Sequence, residues 1–187
     1  MGMDKSTVYT LKELKELDAG SWFHPRFAGE RLPELEEVLD LVRRRALLNI
    51  EIKSNVCEAH HPPDSIEKQV VELVRRKNVL TPVLISSFEW KILEDVASME
   101  DAPAIAVISK YPAKGDNVKL CIRLKAFSRH PNCRELQCDQ VKIMREEGLR
   151  VFPYSVDSPG EYQRMIQMDV DGIITSDLPL LSDLAQA

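Results

Sequence analysis

Apolar positions along this chain change period repeatedly, and each change marks an element. Thr10–Leu17 has helical spacing with Thr10 as a cap. Asp18-Ala19-Gly20-Ser21-Trp22-Phe23 then breaks into an aromatic-rich loop that Pro25 and Gly29 keep non-helical. Pro33 opens a second helix with Leu35, Val38, Leu39 and Val42 as its stripe and acidic residues in its first turn. Arg43, Arg44 and Arg45 close that helix. They read either as solvated arginines at the negative end of the dipole or as a phosphate patch.

From residue 47 the pattern becomes regular. Leu47–Lys53, Pro82–Ser87, Ala102–Ile108, Lys125–His130, Leu149–Val156 and Val170–Thr175 read as β-strands. Between them, Ile66–Lys77 (capped by Asp64), Phe88–Ala97, Val118–Leu124, Gln140–Glu147 and Glu161–Met168 read as helices, and Leu178–Leu184 closes the chain as another. Strand–helix alternation of this kind predicts a parallel sheet with right-handed crossovers. No Gly-x-Gly-x-x-Gly follows a strand, so a dinucleotide fold has no support. Polar residues gather at the C-terminal ends of several strands, which favours a closed (β/α)8 barrel with its site at that end.

The strand 47–53 stands out. Side chains alternate, so Asn49, Glu51 and Lys53 share one face and Leu48, Ile50 and Ile52 the other. An acid and a base pointing inward at the C-terminal end of a barrel strand form either a structural ion pair or part of a site.

Composition narrows the partners. With 187 residues, 44% of them hydrophobic, the chain is long enough for one domain with a sizeable core. A net charge of −5 and a pI near 5.5 argue against nucleic acid as the main partner. There is no apolar run long enough to span a membrane and no signal-peptide core at the N-terminus, so the expected location is cytoplasmic. Cys57, Cys121, Cys133 and Cys138 form no CxxC pair. They read as ordinary reduced thiols, with a loose Cys133, Cys138 and His130 metal set as the alternative.

Several stretches together resemble the glycerophosphodiester phosphodiesterase family, a (β/α)8 TIM-barrel family of hydrolases. They are Leu17–Phe23, Phe27–Pro33 and Leu35–Leu39, followed by Leu48-Asn49-Ile50-Glu51-Ile52-Lys53 as the third barrel strand and Ile85-Ser86-Ser87-Phe88 as the fourth. Val151–Val156 resembles the seventh strand and Val170–Asp177 the eighth. The resemblance runs from Thr10 to the end and covers about strands three to eight, without the first two. It divides the single, incomplete domain into a leading helix and loop (1–32) and barrel strands with their helices (33–187).

The resemblance implies hydrolysis of glycerophosphodiesters to glycerol 3-phosphate and an alcohol, as part of lipid and glycerol metabolism. It implies a divalent cation, Mg2+ or Ca2+, on three carboxylates, one of them Glu51, with Lys53 on the phosphate. Phe88, Tyr154 and Trp22 would line the substrate; the alternative is core aromatics for the first two and a local hydrophobic plug for Trp22 with Phe23. The sequence has no His-Arg-Gly and no second-strand Glu-x-Asp, so neither catalytic histidine nor the other two carboxylates has a counterpart, and cation binding is expected to be weakened or lost. The alternative function is therefore a catalytically inactive truncated barrel acting as a phosphate-binding or interaction protein. Open barrel edges would favour self-association.

The four histidines are His24, His60, His61 and His130, and none sits in a catalytic motif. His60 and His61 follow the Glu51 strand, where adjacent histidines either bind metal or point apart. His130 reads as a contact at the barrel mouth or as a solvated loop histidine. Thr175, Ser176 and Asp177 end the last strand, a place where barrels often hold phosphate.

Overall fold

The computed structural model describes residues 9–43, 45–53, 64–79, 83–110 and 117–179. It divides into two compact units, Met1–Arg45 and Ala46–Ala187.

The first unit holds two short helices and the loop between them. Helix α1 (Leu11–Glu16) starts where expected, because Thr10 and Glu13 cap each other reciprocally. Helix α2 (Leu35–Val42) starts after Pro33, because Glu34 takes the cap position and pairs with Glu37 in a second capping box. A 3-10 turn, Pro25–Phe27, sits in the loop, with His24 Nδ1 accepting from Arg26 N–H. Asp18 organises the rest of that loop. Its carboxylate accepts from the amides of Gly20, Ser21 and Gly29 and from the Ser21 hydroxyl. These bonds, led by the Ser21 amide, hold its pKa well below the usual carboxylate range. Gly20 is required here, since a Cβ would lie 2.0 Å from the Phe27 carbonyl oxygen.

The second unit is a parallel sheet with crossover helices. Strands β1 (Leu48–Ile52), β2 (Val83–Ser87), β3 (Ala104–Ile108), β4 (Ser128–His130) and β5 (Arg150–Val151) lie side by side in chain order. Helices α3 (Ile66–Arg76), α4 (Trp90–Ser98), α5 (Asn117–Arg123), α6 (Cys138–Glu146) and α7 (Pro159–Gln167) follow them. The register Glu51↔Ser86↔Ala106↔Ser128 fixes the faces. Ile52, Ile85, Ile105, Val107 and Val151 fall on the opposite face and are all buried, as are Val71, Val74, Leu93 and Val96 on α3 and α4. Burial of this continuous apolar layer is the main term holding the unit together.

On the inner face the strands differ along their length. Ser86, Ala106, Ser128 and His130 are buried, whereas Asn49 and Ala104, nearer the strand starts, are exposed. A cavity of about 260 Å³ opens there, lined mainly by Leu48, Leu84, Ala104, Phe127, Phe152 and Ile174.

Three expected elements are shorter than their apolar patterns. The Lys125–His130 strand begins only at Ser128. Lys125 is left-handed (φ 51°) and finishes α5, with its amide bonded to the Ile122 carbonyl. The Leu149–Val156 strand is ladder-like only at Arg150–Val151, and Val170–Thr175 reduces to one bridge, Tyr154↔Ile174. Two prolines explain this: Pro153 accepts from the Ile174 amide but has no N–H to return to the Val170–Thr175 segment, and on the β4 side Pro131 accepts from the Tyr154 amide but has no N–H to return to β5. The cap of α3 is Ser65, not Asp64. Beyond residue 179 the expected closing helix lies outside the described residues, as do Cys57, His60 and His61.

Candidate active site

The C-terminal strand ends gather the candidate chemistry of the second unit. Glu51, in β1, and Lys53, just beyond it, are one strand repeat apart and meet directly, with Nζ donating to Oε1 at 2.8 Å. The Lys53 side chain is 68% exposed and that of Glu51 30%. An ion pair this open contributes at most about 1 kcal/mol to stability. The fold therefore does not need the pair, and its lysine is free to exchange one oxyanion partner for another.

Phe88 leaves β2 and Tyr154 lies past β5, and their rings meet edge to face at 6.0 Å and 81°. Tyr154 is pinned by its hydroxyl, which donates to the Ser109 carbonyl at 2.9 Å. Burial is the main cause of its raised pKa, so it stays a neutral donor. Both rings are half-buried, neither core nor fully solvent-facing.

Trp22 belongs to the first unit. It is 81% exposed, stacks edge-on against Phe23 at 5.8 Å, and donates its indole N–H to the Ala19 carbonyl. The Asp18 network fixes the loop that presents it.

Some sequence readings are corrected here. His130 is not a solvated loop histidine: it is 2% exposed, packed edge-on to Phe152 at 5.6 Å, with Nε2 3.1 Å from Ser128 Oγ. Burial pushes its pKa down to about 4, so it is neutral near pH 7. The Thr175–Asp177 segment already has an anion. The Thr175 hydroxyl and the Ser176 amide and hydroxyl all donate to Asp157 Oδ1, which leaves them committed to a carboxylate. Cys133 is buried and donates to the Ser155 carbonyl, Cys138 is exposed, and both are free thiols. Among the described residues no group of three or more His, Cys, Asp or Glu side chains could hold a metal ion.

One pair escaped the sequence reading. Lys110, just beyond β3, donates to Glu89 Oε1 at 2.6 Å. It sits at the same end of the sheet as Lys53, but its partner comes from the segment after another strand, so nothing in the sequence marks the pair. A further buried polar group, Arg129, donates Nε–H to Ser109 Oγ at 2.9 Å and reaches Glu135 at 3.7 Å. It ties the segment after β3 to β4, which helps place the carbonyl that holds Tyr154.

A parallel sheet whose charged and aromatic groups collect at the strands' C-terminal ends defines an α/β protein of the (β/α)8-barrel class. Within that class the chain belongs to the glycerophosphoryl diester phosphodiesterase family, whose profile matches residues 2–179. It is 36% identical over 180 residues to a glycerophosphodiester phosphodiesterase of Caldanaerobacter subterraneus, covering 95% of this chain and 72% of that protein. Among solved structures, a glycerophosphodiester phosphodiesterase from Parabacteroides distasonis has a TM-score of 0.75 at 23% identity, covering 95% of this chain and 71% of the other. A phosphodiesterase of Oleispira antarctica, in complex with its product sn-glycerol-3-phosphate, has a TM-score of 0.72 at 21% identity, covering 89% of this chain and 66% of the other. No helix of the described residues is long and apolar enough to cross a membrane.

Proposed function

We propose that this chain binds the phosphate of glycerophosphodiesters and of glycerol 3-phosphate at the C-terminal end of β1, and that by itself it does not turn them over. The family's reaction is the hydrolysis of such diesters, and the chain descends from that chemistry. The observation that carries the reading is the Glu51–Lys53 pair: an exposed ammonium held by one carboxylate at the place where a barrel site sits. A phosphate oxygen can replace the carboxylate as acceptor, because both are anionic and Lys53 offers several N–H donors. Phe88 and Tyr154 would flank the glycerol.

The described residues do not fit the three-carboxylate cation set that the family implies. Glu51 is one carboxylate already shared with Lys53, and a hard cation such as Mg2+ or Ca2+ takes several oxygen ligands. No hydrolytic step is therefore assigned to Glu51. The test is calorimetric titration with sn-glycerol 3-phosphate in metal-free buffer. Lys53→Met should weaken binding by about 10-fold, the loss of one charge-assisted contact. Equal affinity in the wild type and the variant refutes the assignment.

A further inference from the structure

A second open ion pair stands at the same end of the sheet as Glu51–Lys53. Glu89 lies just past β2 and Lys110 just past β3, and Lys110 Nζ donates to Glu89 Oε1 at 2.6 Å. The Lys110 side chain is 62% exposed and that of Glu89 26%. A pair this open adds little to stability, and Glu89 precedes α4 without a side-chain bond to the helix. The fold therefore leaves both charges available for another use.

Hydrogen bonds and a ring contact tie this pair to Lys53, Phe88 and Tyr154. The Ser87 hydroxyl donates to the Ile52 carbonyl at 2.8 Å and accepts from the Glu89 amide at 3.0 Å, so one hydroxyl joins the residue before Lys53 to Glu89. On the other side, the carbonyl of Ser109, next to Lys110, holds the Tyr154 hydroxyl, and the Tyr154 ring packs on Phe88, next to Glu89. Adjacent strands lie about 4.8 Å apart, which sets the ends of β1 and β3 about 10 Å from each other across β2. One small ligand beside Phe88 and Tyr154 is thus within reach of Lys53 at one end and of Glu89 and Lys110 at the other.

We infer that Glu89 and Lys110 hold the two adjacent hydroxyls of the glycerol whose phosphate sits on Lys53, an assignment that rests on the phosphate role of Lys53. The pair is neutral as a whole, so it does not call for a second ion. It sets an acceptor beside a donor, and a hydroxyl offers both functions. One hydroxyl donates to the Glu89 carboxylate, which has acceptor sites beyond the one that Lys110 uses, and its neighbour accepts from one of the three Lys110 N–H donors. Lys53 then supplies affinity for the phosphate, while the segments after β2 and β3 distinguish glycerol from an alkyl chain.

Calorimetric titration of the full chain in metal-free buffer tests this with two ligands, sn-glycerol 3-phosphate and n-propyl phosphate, which keeps the phosphate and the three carbons but has no hydroxyls. The wild type should bind glycerol 3-phosphate about 10-fold more tightly than propyl phosphate. Glu89→Ala and Lys110→Met should each weaken glycerol 3-phosphate by about 3- to 10-fold and leave propyl phosphate unchanged, whereas Lys53→Met should weaken both ligands alike. Equal affinity of the wild type for the two ligands, with both weakened by Lys53→Met, overturns the hydroxyl assignment and leaves the phosphate assignment standing. Equal losses for both ligands in Glu89→Ala and Lys110→Met overturn it as well, because the pair would then act on the phosphate. Failure of the phosphate assignment is a different result: Lys53→Met then binds both ligands like the wild type, or the wild type binds neither, and the hydroxyl assignment falls with it.

Discussion

Purified chain supplied with glycerophosphocholine and either Mg2+ or Ca2+ should release glycerol 3-phosphate more slowly than about 0.1 per second. Ordinary enzymes turn over at about 1–10³ per second, with a median near 10. Removing a positioned acid or base typically costs about 10²–10⁴ in rate, and this sequence has no histidine in either motif position. His24 accepts from the Arg26 amide within its own loop, and His130 is buried against Phe152. A cation is expected to contribute little as well, since among the described residues no other carboxylates join Glu51 in a metal-holding group and Lys53 is bound to it. A coupled glycerol 3-phosphate assay with and without the cation measures this directly. Metal-dependent turnover of about 1 per second or more, the ordinary enzyme range, would show that this chain assembles a working site from residues other than those assigned here.

Acid should destabilise the second unit through His130 before the carboxylates contribute much. The folded environment holds its pKa at about 4, against about 6.5 when unfolded. Between those values the unfolded chain binds the extra proton, so folding stability falls as pH falls. The contribution is fully present above pH 6.5, shrinks through that window, and is lost below pH 4. Its size is about 3 kcal/mol, from the shift of roughly two and a half pH units. Asp157 and Glu161 have lowered pKa values and also favour the fold, Asp157 chiefly through the Ser176 amide and Glu161 chiefly through the Ser158 hydroxyl. Their losses begin only near the ordinary carboxylate range, below the upper part of the histidine window. Urea midpoints from pH 7 to pH 4.5 should therefore fall steeply in the wild type. His130→Gln keeps a polar group of similar size and should flatten that slope. Parallel slopes in the two proteins would assign the acid sensitivity elsewhere.

The strand–helix order was legible because periodicity is a local signal, and in this unit the buried face of each strand is carried by consecutive odd or even positions such as Ile85 and Val107 with their neighbours. What was not legible depended on single backbone atoms. Pro153 interrupts a ladder whose apolar run continues past it, and Lys125 closes a helix in a left-handed conformation that lysine gives no sign of. At the site, Glu51 and Lys53 could be paired from alternation alone, since two residues along a strand place side chains on one face. Glu89 with Lys110, and Asp157 with Ser176, are contacts between separate segments, so no spacing in the sequence announces them. His130 shows the same limit from the other side: a histidine before a proline looks like a loop residue until Ser128 and Phe152 are seen to enclose it.

The role of Lys53 also separates this account from a purely structural reading of the chain. An exposed ion pair kept for stability has little to contribute, whereas an exposed pair at a strand's C-terminal end is placed to receive a ligand. Amide chemical-shift mapping of a 15N-labelled chain titrated with sn-glycerol 3-phosphate, without metal, tests this most directly. Saturable shifts confined to the residues around Glu51–Lys53, Phe88 and Tyr154 are the expected result. No shifts, or shifts centred on another part of the sheet, would contradict it.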